Sequence, residues 1–345
     1  MGTRKAGKLK VKPVAPTNQK EKSSMDRSSQ KVYVVFNPTA GKEVHLDDIR
    51  SAMAHHFPSP EWKTEIYETT GKEDIPALCR AACDQGAALV VSAGGDGTLV
   101  GVANGLVNRK VPLGILPMGT GNDLARALGV PLKLDDAVKL LAGDHAVIEV
   151  DALKVGDRHF FSNVSVGASP RMMKDTSSAE KKKFGRLAYI WSLIKRPSIL
   201  QLHRYTLTID GEPRSIRAAE VLISNSTLLE KPLSFFGPTE TLNDGQLEVY
   251  LVTAENLGDY LHMLWDMLRR PGWSASNIHH LMGRQTIRIA ADRNPQLSQG
   301  DGEVIGNTPV EIQMVPRAIQ VIMPHPAKVS ATSGVDAHQV PVKVG

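Results

Sequence analysis

The sequence predicts an α/β fold in which an N-terminal doubly wound α/β domain is followed by a mostly antiparallel β domain. From Lys31 to about residue 146, short β-branched runs alternate with stretches whose apolar residues recur every three or four positions. This is the pattern of βαβ units that feed a parallel sheet. Beyond that point, strand-like runs alternate polar and apolar residues, as antiparallel strands with one wet face do. A chain of 345 residues is long enough for two such domains.

Four β-branched runs mark the strands of the first domain. They are KVYVVF (31–36), KTEIYE (63–68), ALVVSA (88–93) and VPLGILP (111–117). The stretches between and after them predict helices at about 45–57, 73–85, 98–108, 121–128 and 135–142. Strands that alternate with helices in this way pair in parallel, and the helices cover both faces of the sheet.

The second domain is predicted from strands of alternating polarity. They are RYTLTID (204–210), AAEVLISN (218–225), GQLEVYLVT (245–253), RQTIRIAA (284–291) and AIQVIMP (318–324). Two helical patches, Gly185–Ile194 and Leu257–Leu268, interrupt them. We therefore predict a disordered basic tail over 1–30, an α/β domain over 31–146, a β-rich domain over 147–326 and a flexible tail over 327–345.

The charge is concentrated at the N-terminus. Residues 1–30 hold eight Lys or Arg side chains against Glu21 and Asp26, whereas the whole chain carries only +5. The folded part is therefore close to neutral, and we expect no nucleic-acid partner. The tail lacks the apolar stretch of a secretory signal, so we expect a cytoplasmic protein.

Neither a membrane span nor a disulfide is expected. No window approaches the roughly 18 apolar residues that a spanning helix needs, so any membrane contact is expected to be peripheral. The two cysteines, Cys79 and Cys83, lie four positions apart in a helical pattern. We interpret them as reduced core thiols.

The densest chemical signal is Gly94-Gly95-Asp96-Gly97-Thr98, where a buried strand ends and a helix begins. Glycines let backbone N–H groups approach phosphates, and a helix N-terminus favours negative charge. Loops 37–42 and 117–123 follow other strands of the same sheet, so all three should meet at one edge. No G-x-x-x-x-G-K-[ST] run and no G-x-G-x-x-G at a helix start occurs, which argues against Walker-type NTPases and dinucleotide dehydrogenases. The first domain is therefore predicted to bind a ligand that carries phosphate at this edge.

Five segments follow one another along the chain: NPTAGK (37–42), TTGKED (69–74), GGDGT (94–98), PMGTGNDLAR (117–126) and GDGE (300–303). Their order resembles that in soluble bacterial diacylglycerol kinases, sphingosine kinases and ceramide kinases. Over about residues 31–325 the chain resembles this lipid kinase family. The resemblance implies an ATP- and Mg²⁺-dependent kinase that phosphorylates a lipid hydroxyl, with diacylglycerol as the first candidate. NAD kinases also carry GGDGT, so an NAD kinase-like enzyme is the alternative.

The resemblance also implies which residues surround ATP and Mg²⁺. The implied nucleotide-binding residues are Asn37, Pro38, Thr39, Ala40, Gly41, Thr69, Gly94, Gly95, Asp96, Gly97, Thr98, Leu99, Val100 and Thr120. Asp96 and Asp123, with Asp151, resemble the acidic network that organises the catalytic Mg²⁺. A structural Mg²⁺ of the family would map to Thr241, Asp244 and Gln246.

Asp301 and Glu303 resemble the catalytic acidic pair of the family. One of them would serve as general base toward the lipid hydroxyl, because phosphoryl transfer asks the protein to align the acceptor and accept its proton. Which of the two is the base stays open. An Asp-Gly dipeptide is also common in plain β-turns.

The chain departs from the family pattern at two places. Val100 and Gly101 stand where GGDGT is usually followed by x-N-E, which removes a polar side chain and a carboxylate near the nucleotide. Glu73-Asp74 replaces the usual Gly-Asp after Thr69. These changes motivate a further alternative, a catalytically inactive lipid-binding adaptor, although all four carboxylates implied in catalysis are retained.

The expected partner is a lipid substrate at a membrane surface. The segment Lys181–Trp191 mixes cations with aromatic residues and resembles a family segment reading K-x-x-G-x-x-A-Y. It would attract anionic headgroups and insert shallowly, or it is a charge run that caps a core helix. We expect peripheral contact with the inner face of the membrane, and a homodimer is possible. The sequence leaves the acceptor open among diacylglycerol, phosphatidylglycerol and sphingoid bases.

Overall fold

The chain folds around two β-sheets, of ten and six strands. The computed structural model describes residues 30–41, 44–175, 201–225, 242–256, 258–260, 262, 265 and 277–325. Within these ranges, no helix is both long enough and apolar enough to cross a lipid bilayer.

The helices and strands have the following bounds. The strands are β1 (Gln30–Phe36), β2 (Trp62–Glu68), β3 (Ala87–Gly94), β4 (Leu113–Pro117), β5 (Ala146–Val155), β6 (Arg158–Phe160), β7 (Asn163–Gly167), β8 (His203–Ile209), β9 (Glu212–Ala218), β10 (Glu220–Ser224), β11 (Leu247–Val252), β12 (Ile278–Gly283), β13 (Thr286–Ala291), β14 (Leu297–Gly300), β15 (Glu303–Asn307) and β16 (Val310–Met323). The helices are α1 (Leu46–His56), α2 (Ile75–Asp84), α3 (Asp96–Leu106), α4 (Asp123–Ala127), α5 (Leu134–Ala142) and α6 (Ala168–Asp175).

The first four strands form a parallel sheet in the order β2-β1-β3-β4. Successive side chains of β1 point to opposite faces, so Tyr33 and Val35 join a core with α2 and α3, whereas Val34 packs with α1 and α5. Helices therefore cover both faces, and the predicted doubly wound architecture is confirmed. Cys79 and Cys83 are free thiols in this layer, and burial raises the pKa of Cys79 to about 12.

The second half of the chain is a β-sandwich. One layer is the six-stranded antiparallel sheet β12-β11-β10-β7-β14-β15, and the other consists of β8, β13 and neighbouring strands of the larger sheet. Apolar side chains from both layers meet in one core, among them Val164, Leu207, Val221 and Ile287. The predicted antiparallel β domain is confirmed.

The long strand β16 connects the two halves of the molecule. Its first residues pair antiparallel with β13, whereas Val321 pairs in parallel with Leu113 of β4. Strand β5 runs antiparallel along most of β16. The last described strand therefore completes the sheet of the first domain, and the two domains share one ten-stranded sheet.

Several short strands have no counterpart in the strand pattern of the sequence. All five residues of β7 are buried, and β14 is a polar four-residue strand that is largely buried, so neither shows the exposed-buried alternation on which the prediction depends. The predicted helical patch Gly185–Ile194 lies outside the described residues. Within the patch Leu257–Leu268, the described residues 258–260, 262 and 265 are helical.

Candidate active site

Asn37 ties the first two glycine-rich loops together. Its backbone N–H donates to Ala93 O at 2.9 Å, and its Nδ2 donates to Thr98 Oγ1 at 3.0 Å. Its Oδ1 accepts from the backbone N–H and the hydroxyl of Thr39, at 3.0 and 2.8 Å. The loop after β1 is thus fixed against the start of α3, at the carboxyl edge of the parallel strands.

The third loop, residues 117–123, contacts both of the other loops at glycines. A Cβ added at Gly119 would lie 2.7 Å from the Gly95 Cα, and one at Gly41 would lie 3.3 Å from Thr120 Oγ1. The backbone N–H of Met118 also donates to Gly94 O at 2.9 Å. Only residues without a side chain allow backbones to approach this closely. The structure therefore brings together the three loops that the sequence predicts to bind the nucleotide.

Asp96 fixes the third loop through its carboxylate. Its Oδ2 accepts the Asn122 N–H at 3.0 Å and its Oδ1 accepts the Asp123 N–H at 2.9 Å. Asn122 has φ 52°, in the left-handed region, and its side chain forms two hydrogen bonds with the Gly119 backbone. Asp96 therefore caps the start of α4 as well as lying at the start of α3.

The loop after β2 is closed by Glu73. Its carboxylate accepts the backbone N–H groups of Thr70, Gly71 and Lys72 and the Thr70 hydroxyl. The bonds from Thr70, first from its hydroxyl and then from its backbone, lower the pKa of Glu73 to about 2. Thr69 is buried, and its N–H donates to Phe36 O at 2.8 Å, which places this loop beside the loop after β1.

Asp301 lies in a tight turn between β14 and β15, with φ 46°. Its Oδ2 accepts the Phe161 N–H at 2.7 Å, and its Oδ1 accepts those of Ser162 and Asn163 at 2.9 and 3.0 Å. Burial raises the pKa of Asp301 to about 6, with a further increase from Glu303, although the three N–H bonds oppose this rise. This turn thus holds a half-buried carboxylate whose pKa lies above the ordinary range of an Asp.

Glu303 has a different environment. Its carboxylate is exposed and forms an ion pair with Arg158 at 2.5 Å, and the Arg158 guanidinium lies over the Phe160 ring, 5.1 Å from its centroid. The two carboxylates of GDGE are therefore not equivalent. One is enclosed by backbone N–H groups, and the other is neutralised by an arginine at the surface.

Asp151 is a buried structural residue. Its Oδ2 accepts the Gly245 N–H at 2.8 Å, and its Oδ1 accepts the Arg317 N–H at 2.6 Å. Through these bonds it joins β5 to the turn before β11 and to the irregular part of β16. Each Asp151 oxygen thus accepts one backbone N–H group, as each Asp96 oxygen does, and the place of Asp151 in the acidic network that organises Mg²⁺ stays a prediction.

The family match follows the two halves of the fold. Residues 31–155 match the diacylglycerol kinase catalytic domain, and residues 162–323 match the YegS C-terminal NAD kinase beta sandwich-like domain. The chain belongs to the diacylglycerol kinase-like lipid kinase family. The resemblance in the five motifs is thereby confirmed.

Individual relatives agree with this assignment. The diacylglycerol kinase of Bacillus subtilis (strain 168) is 27% identical over 299 residues, which cover 84% of this chain and 95% of that protein. An uncharacterized protein of Synechocystis is 28% identical over 308 residues, covering 85% of this chain and 70% of that protein. The crystal structure of a diacylglycerol kinase from Bacillus anthracis str. Sterne has a TM-score of 0.67 at 25% identity, covering 86% of this chain and 98% of that one.

The structure accounts for one departure of this lipid kinase from its family. A Cβ added at Gly101 would lie 3.3 Å from the Ile75 side chain, so the missing acidic side chain coincides with close packing of α2 on α3. Val100 is half-buried, and its carbonyl accepts the Asn104 amide at 2.9 Å. Leu99 is buried in the core, where its side chain packs with the layer between α2 and α3.

Several residues of this kinase site lie outside every motif that the sequence shows. The backbone N–H groups of residues 161–163 hold Asp301, and Asn104 connects α3 to β6. Backbone groups carry no sequence signal, and a single helical Asn is usually interpreted as a surface residue. Arg158, the partner of Glu303, also lies outside the five motifs, so the sequence does not identify it as a site residue.

We expect Gly119→Ala to weaken ATP binding by about 10- to 100-fold. The new Cβ would lie 2.7 Å from the Gly95 Cα and 3.0 Å from Asn122 Oδ1, and overpacking of this kind costs about 1–3 kcal/mol. The two loops would have to separate. Titration calorimetry with MgATP checks this expectation. Gly86→Asn is the control, because Gly86 lies at the other end of β3 with φ +82° and open space around it; an equal loss there would contradict the argument.

Proposed function

We propose that this lipid kinase transfers the γ-phosphoryl group of ATP, with Mg²⁺, to the hydroxyl of diacylglycerol at a membrane surface. Relatives named diacylglycerol kinase, such as the Bacillus subtilis protein, favour this acceptor. The observation that carries the chemistry is the Asp301 carboxylate, which three backbone N–H groups hold and whose pKa burial raises to about 6. A general base is most effective when its pKa lies close to the working pH.

The arrangement of the three loops supports ATP as the phosphoryl donor. The first turn of α3 begins at Asp96, and a Cβ added at Gly97 would meet nothing within 4 Å. Space therefore lies beside backbone N–H groups at a helix N-terminus, where phosphate oxygens are favoured. Gly95 and Gly119 are in contact nearby, and because neither has a side chain, none extends from these two positions toward the space beside Gly97.

The donor set fits a Mg²⁺ ion that arrives with the nucleotide. Among the described residues, no three His, Cys, Asp or Glu side chains are grouped so as to hold a metal by themselves. Protein Mg²⁺ sites in kinases usually combine one or two carboxylates with phosphate oxygens, and Asp96 and Asp123 would hold the ion here. Each Asp96 oxygen accepts one backbone bond and keeps a further lone pair. When bound, the ion would offset charge on the phosphates.

In the proposed reaction, the lipid hydroxyl oxygen forms a bond to the γ-phosphorus while the bond from that phosphorus to the β,γ-bridging oxygen breaks, and ADP leaves. The hydroxyl proton passes to the Asp301 carboxylate. We assign the base to Asp301 because the Glu303 carboxylate is exposed and paired with Arg158. The three N–H groups orient Asp301, and no Lys or Arg of the described residues lowers its pKa.

The structural Mg²⁺ site is a separate part of the proposal. Asp244 Oδ1 accepts the Gln246 N–H at 2.9 Å, whereas Thr241 lies outside the described residues. Burial raises the pKa of Asp244, and the carboxylates of Glu248 and Asp151 raise it further. A cation at this turn would offset the accumulated negative charge, which supports the assignment.

The membrane contact, the cytoplasmic location and the homodimer are also proposals. A diacylglycerol acceptor requires the enzyme to reach a hydroxyl at the bilayer interface. The segment Lys181–Trp191, with its cations and aromatic residues, is our candidate for that contact. It lies outside the described residues.

Transfer of labelled γ-phosphate from MgATP to lipids in mixed micelles tests the proposed function. The panel contains diacylglycerol, phosphatidylglycerol, a sphingoid base and ceramide, with NAD as a soluble comparator. We expect labelled phosphatidic acid from diacylglycerol and no label on NAD. Label on NAD would instead support an NAD kinase-like enzyme. Binding to lipid vesicles without transfer to any acceptor would support the inactive adaptor.

A further inference from the structure

Asn104 joins helix α3 to the short strand β6. Its Oδ1 accepts the His159 N–H at 2.9 Å, and its Nδ2 donates to His159 O at 2.8 Å. The same Nδ2 donates to Val100 O, one turn earlier in the helix, at 2.9 Å. Among the described strands, β6 pairs with β5 alone. The Asn104 carboxamide therefore satisfies the free edge of β6 as a neighbouring strand would.

Strand β6 leads directly into the residues that hold Asp301. The three backbone N–H groups of residues 161–163 donate to the Asp301 carboxylate at 2.7, 2.9 and 3.0 Å. The Phe160 ring packs against Gly300, where an added Cβ would lie 2.5 Å from the ring. The turn is thus held from two sides by one short segment, and a shift of β6 would move the Asp301 carboxylate.

The other end of α3 lies at the loop that is predicted to bind phosphates. The helix begins at Asp96, and Asn104 lies about 12 Å farther along its axis at 1.5 Å per residue. Between these points α3 packs closely on α2, because a Cβ added at Gly101 would lie 3.3 Å from the Ile75 side chain. Just past Asn104, a Cβ added at Gly105 would lie 2.5 Å from the Cys79 Cβ. Helix α3 is therefore a well-supported connection between the nucleotide loop and β6.

We propose that Asn104 is a positioning residue, which sets the place of the Asp301 carboxylate relative to the phosphoryl group bound at the GGDGT loop. The inference rests on the proposed function, in which Asp301 accepts the proton of the lipid hydroxyl. Asn104 acts through His159 and the segment that follows it. A misplacement of about 1 Å at a reacting group can cost about 10²-fold in rate, so this hydrogen-bonded pair matters for catalysis as well as for stability.

Kinetics of Asn104→Ala provide the first test. We expect kcat for lipid phosphorylation to fall by about 10- to 100-fold, with the KM for ATP within about twofold of the wild-type value, because the glycine-rich loops keep their own contacts. Asn104→Asp should be similarly impaired. Its carboxylate can still accept the His159 N–H. The second carboxylate oxygen replaces the donating amide group, however, and would face the carbonyl oxygens of His159 and Val100, to which it cannot donate.

Amide hydrogen exchange provides a test that does not depend on activity. The N–H groups of residues 161–163 are bonded to Asp301, and we expect them to lose protection in Asn104→Ala. Asp210→Asn is the matched control, because Asp210 holds three backbone N–H groups of residues 284–286 elsewhere in the β domain. Asp210→Asn should lower stability without changing kcat or the protection of residues 161–163.

The outcomes separate this inference from the proposed function. If wild-type protein phosphorylates lipid and Asn104→Ala retains its kcat, Asn104 is not a positioning residue. An equal loss of kcat in Asp210→Asn would show that general destabilisation is the cause, which also overturns the inference. If wild-type protein transfers no phosphate to lipid, the proposed function fails. The exchange experiment then still decides whether Asn104 holds the Asp301 turn.

Discussion

Replacing Asp301 by Asn is expected to lower kcat for lipid phosphorylation by about 10²- to 10⁴-fold, the range that a general base contributes. The amide has nearly the same shape as the carboxylate and can still accept backbone N–H bonds through its one oxygen. It cannot accept the proton of the lipid hydroxyl. Steady-state kinetics with MgATP and diacylglycerol micelles measure the effect. The KM for ATP should change little, because the three glycine-rich loops are formed by other residues.

The pH dependence of the wild-type enzyme gives the same prediction a second readout. Burial raises the pKa of Asp301 to about 6, so the carboxylate is protonated and inactive as a base below that pH. We expect kcat/KM for the lipid, which reports the pKa of the free enzyme, to fall about tenfold per pH unit below about 6 and to be level above it. A base with an ordinary Asp pKa would keep its activity down to about pH 4. The acid limb near pH 6 should be absent from any residual activity of Asp301→Asn.

The raised pKa of Asp301 also makes the free energy of unfolding depend on pH. The folded protein binds the Asp301 proton more tightly than the unfolded chain does, so ionisation of this group reduces stability as pH rises from about 4 to about 6. Above about 6 its contribution is constant.

Glu303→Gln is the matched control for Asp301→Asn. Glu303 lies two residues from Asp301 in the same turn, but its exposed carboxylate is paired with Arg158, and an exposed ion pair contributes at most about 1 kcal/mol. We expect a much smaller loss of kcat than in Asp301→Asn, with the acid limb near pH 6 retained. If Glu303→Gln removed that limb while Asp301→Asn kept it, the two carboxylates would have to exchange roles.

The first domain was predicted well because its signal is local. The run KVYVVF becomes β1, and the runs around it become β2, β3 and β4 within a few residues. The pairing of Val321 with Leu113 could not be predicted, since periodicity does not report which distant strands are neighbours. Strand β14 was missed because it is polar. Its Gln299 is buried only because its amide bonds to Asn163 and Ser165.

In the candidate site, too, residues within a motif could be predicted, whereas contacts between distant segments could not. The glycine-rich motifs located all three loops, because glycine is required where backbones touch, as at Gly95 and Gly119. The sequence predicted a carboxylate at Asp301 but could not show that backbone N–H groups of residues 161–163 enclose it. From its sequence motif, Asp96 is expected to help organise the catalytic Mg²⁺. The structure adds its backbone bonds to Asn122 and Asp123, which no motif specifies.

Replacing Asp96 by Ala is expected to lower kcat/KM for ATP by about 10³-fold. Two backbone N–H groups, those of Asn122 and Asp123, would lose their acceptor, and an unsatisfied buried donor costs about 1–3 kcal/mol. The loop that contacts Gly95 would lose its anchor to α3. The proposed Mg²⁺ would also lose one of its two carboxylates. Steady-state kinetics over a range of ATP and Mg²⁺ concentrations measure the combined loss.

Asp96→Asn separates these two roles. The amide keeps one oxygen to accept one of the two N–H groups, whereas it removes the negative charge entirely. If Asp96 acts mainly as a cap, Asn should recover much of the activity that Ala loses. If its charge toward Mg²⁺ dominates, Asn and Ala should be equally impaired, and both should need higher Mg²⁺ for half-maximal rate. Activity close to wild type in Asp96→Ala would contradict both roles, because the variant lacks the carboxylate that accepts these two N–H groups and would face Mg²⁺.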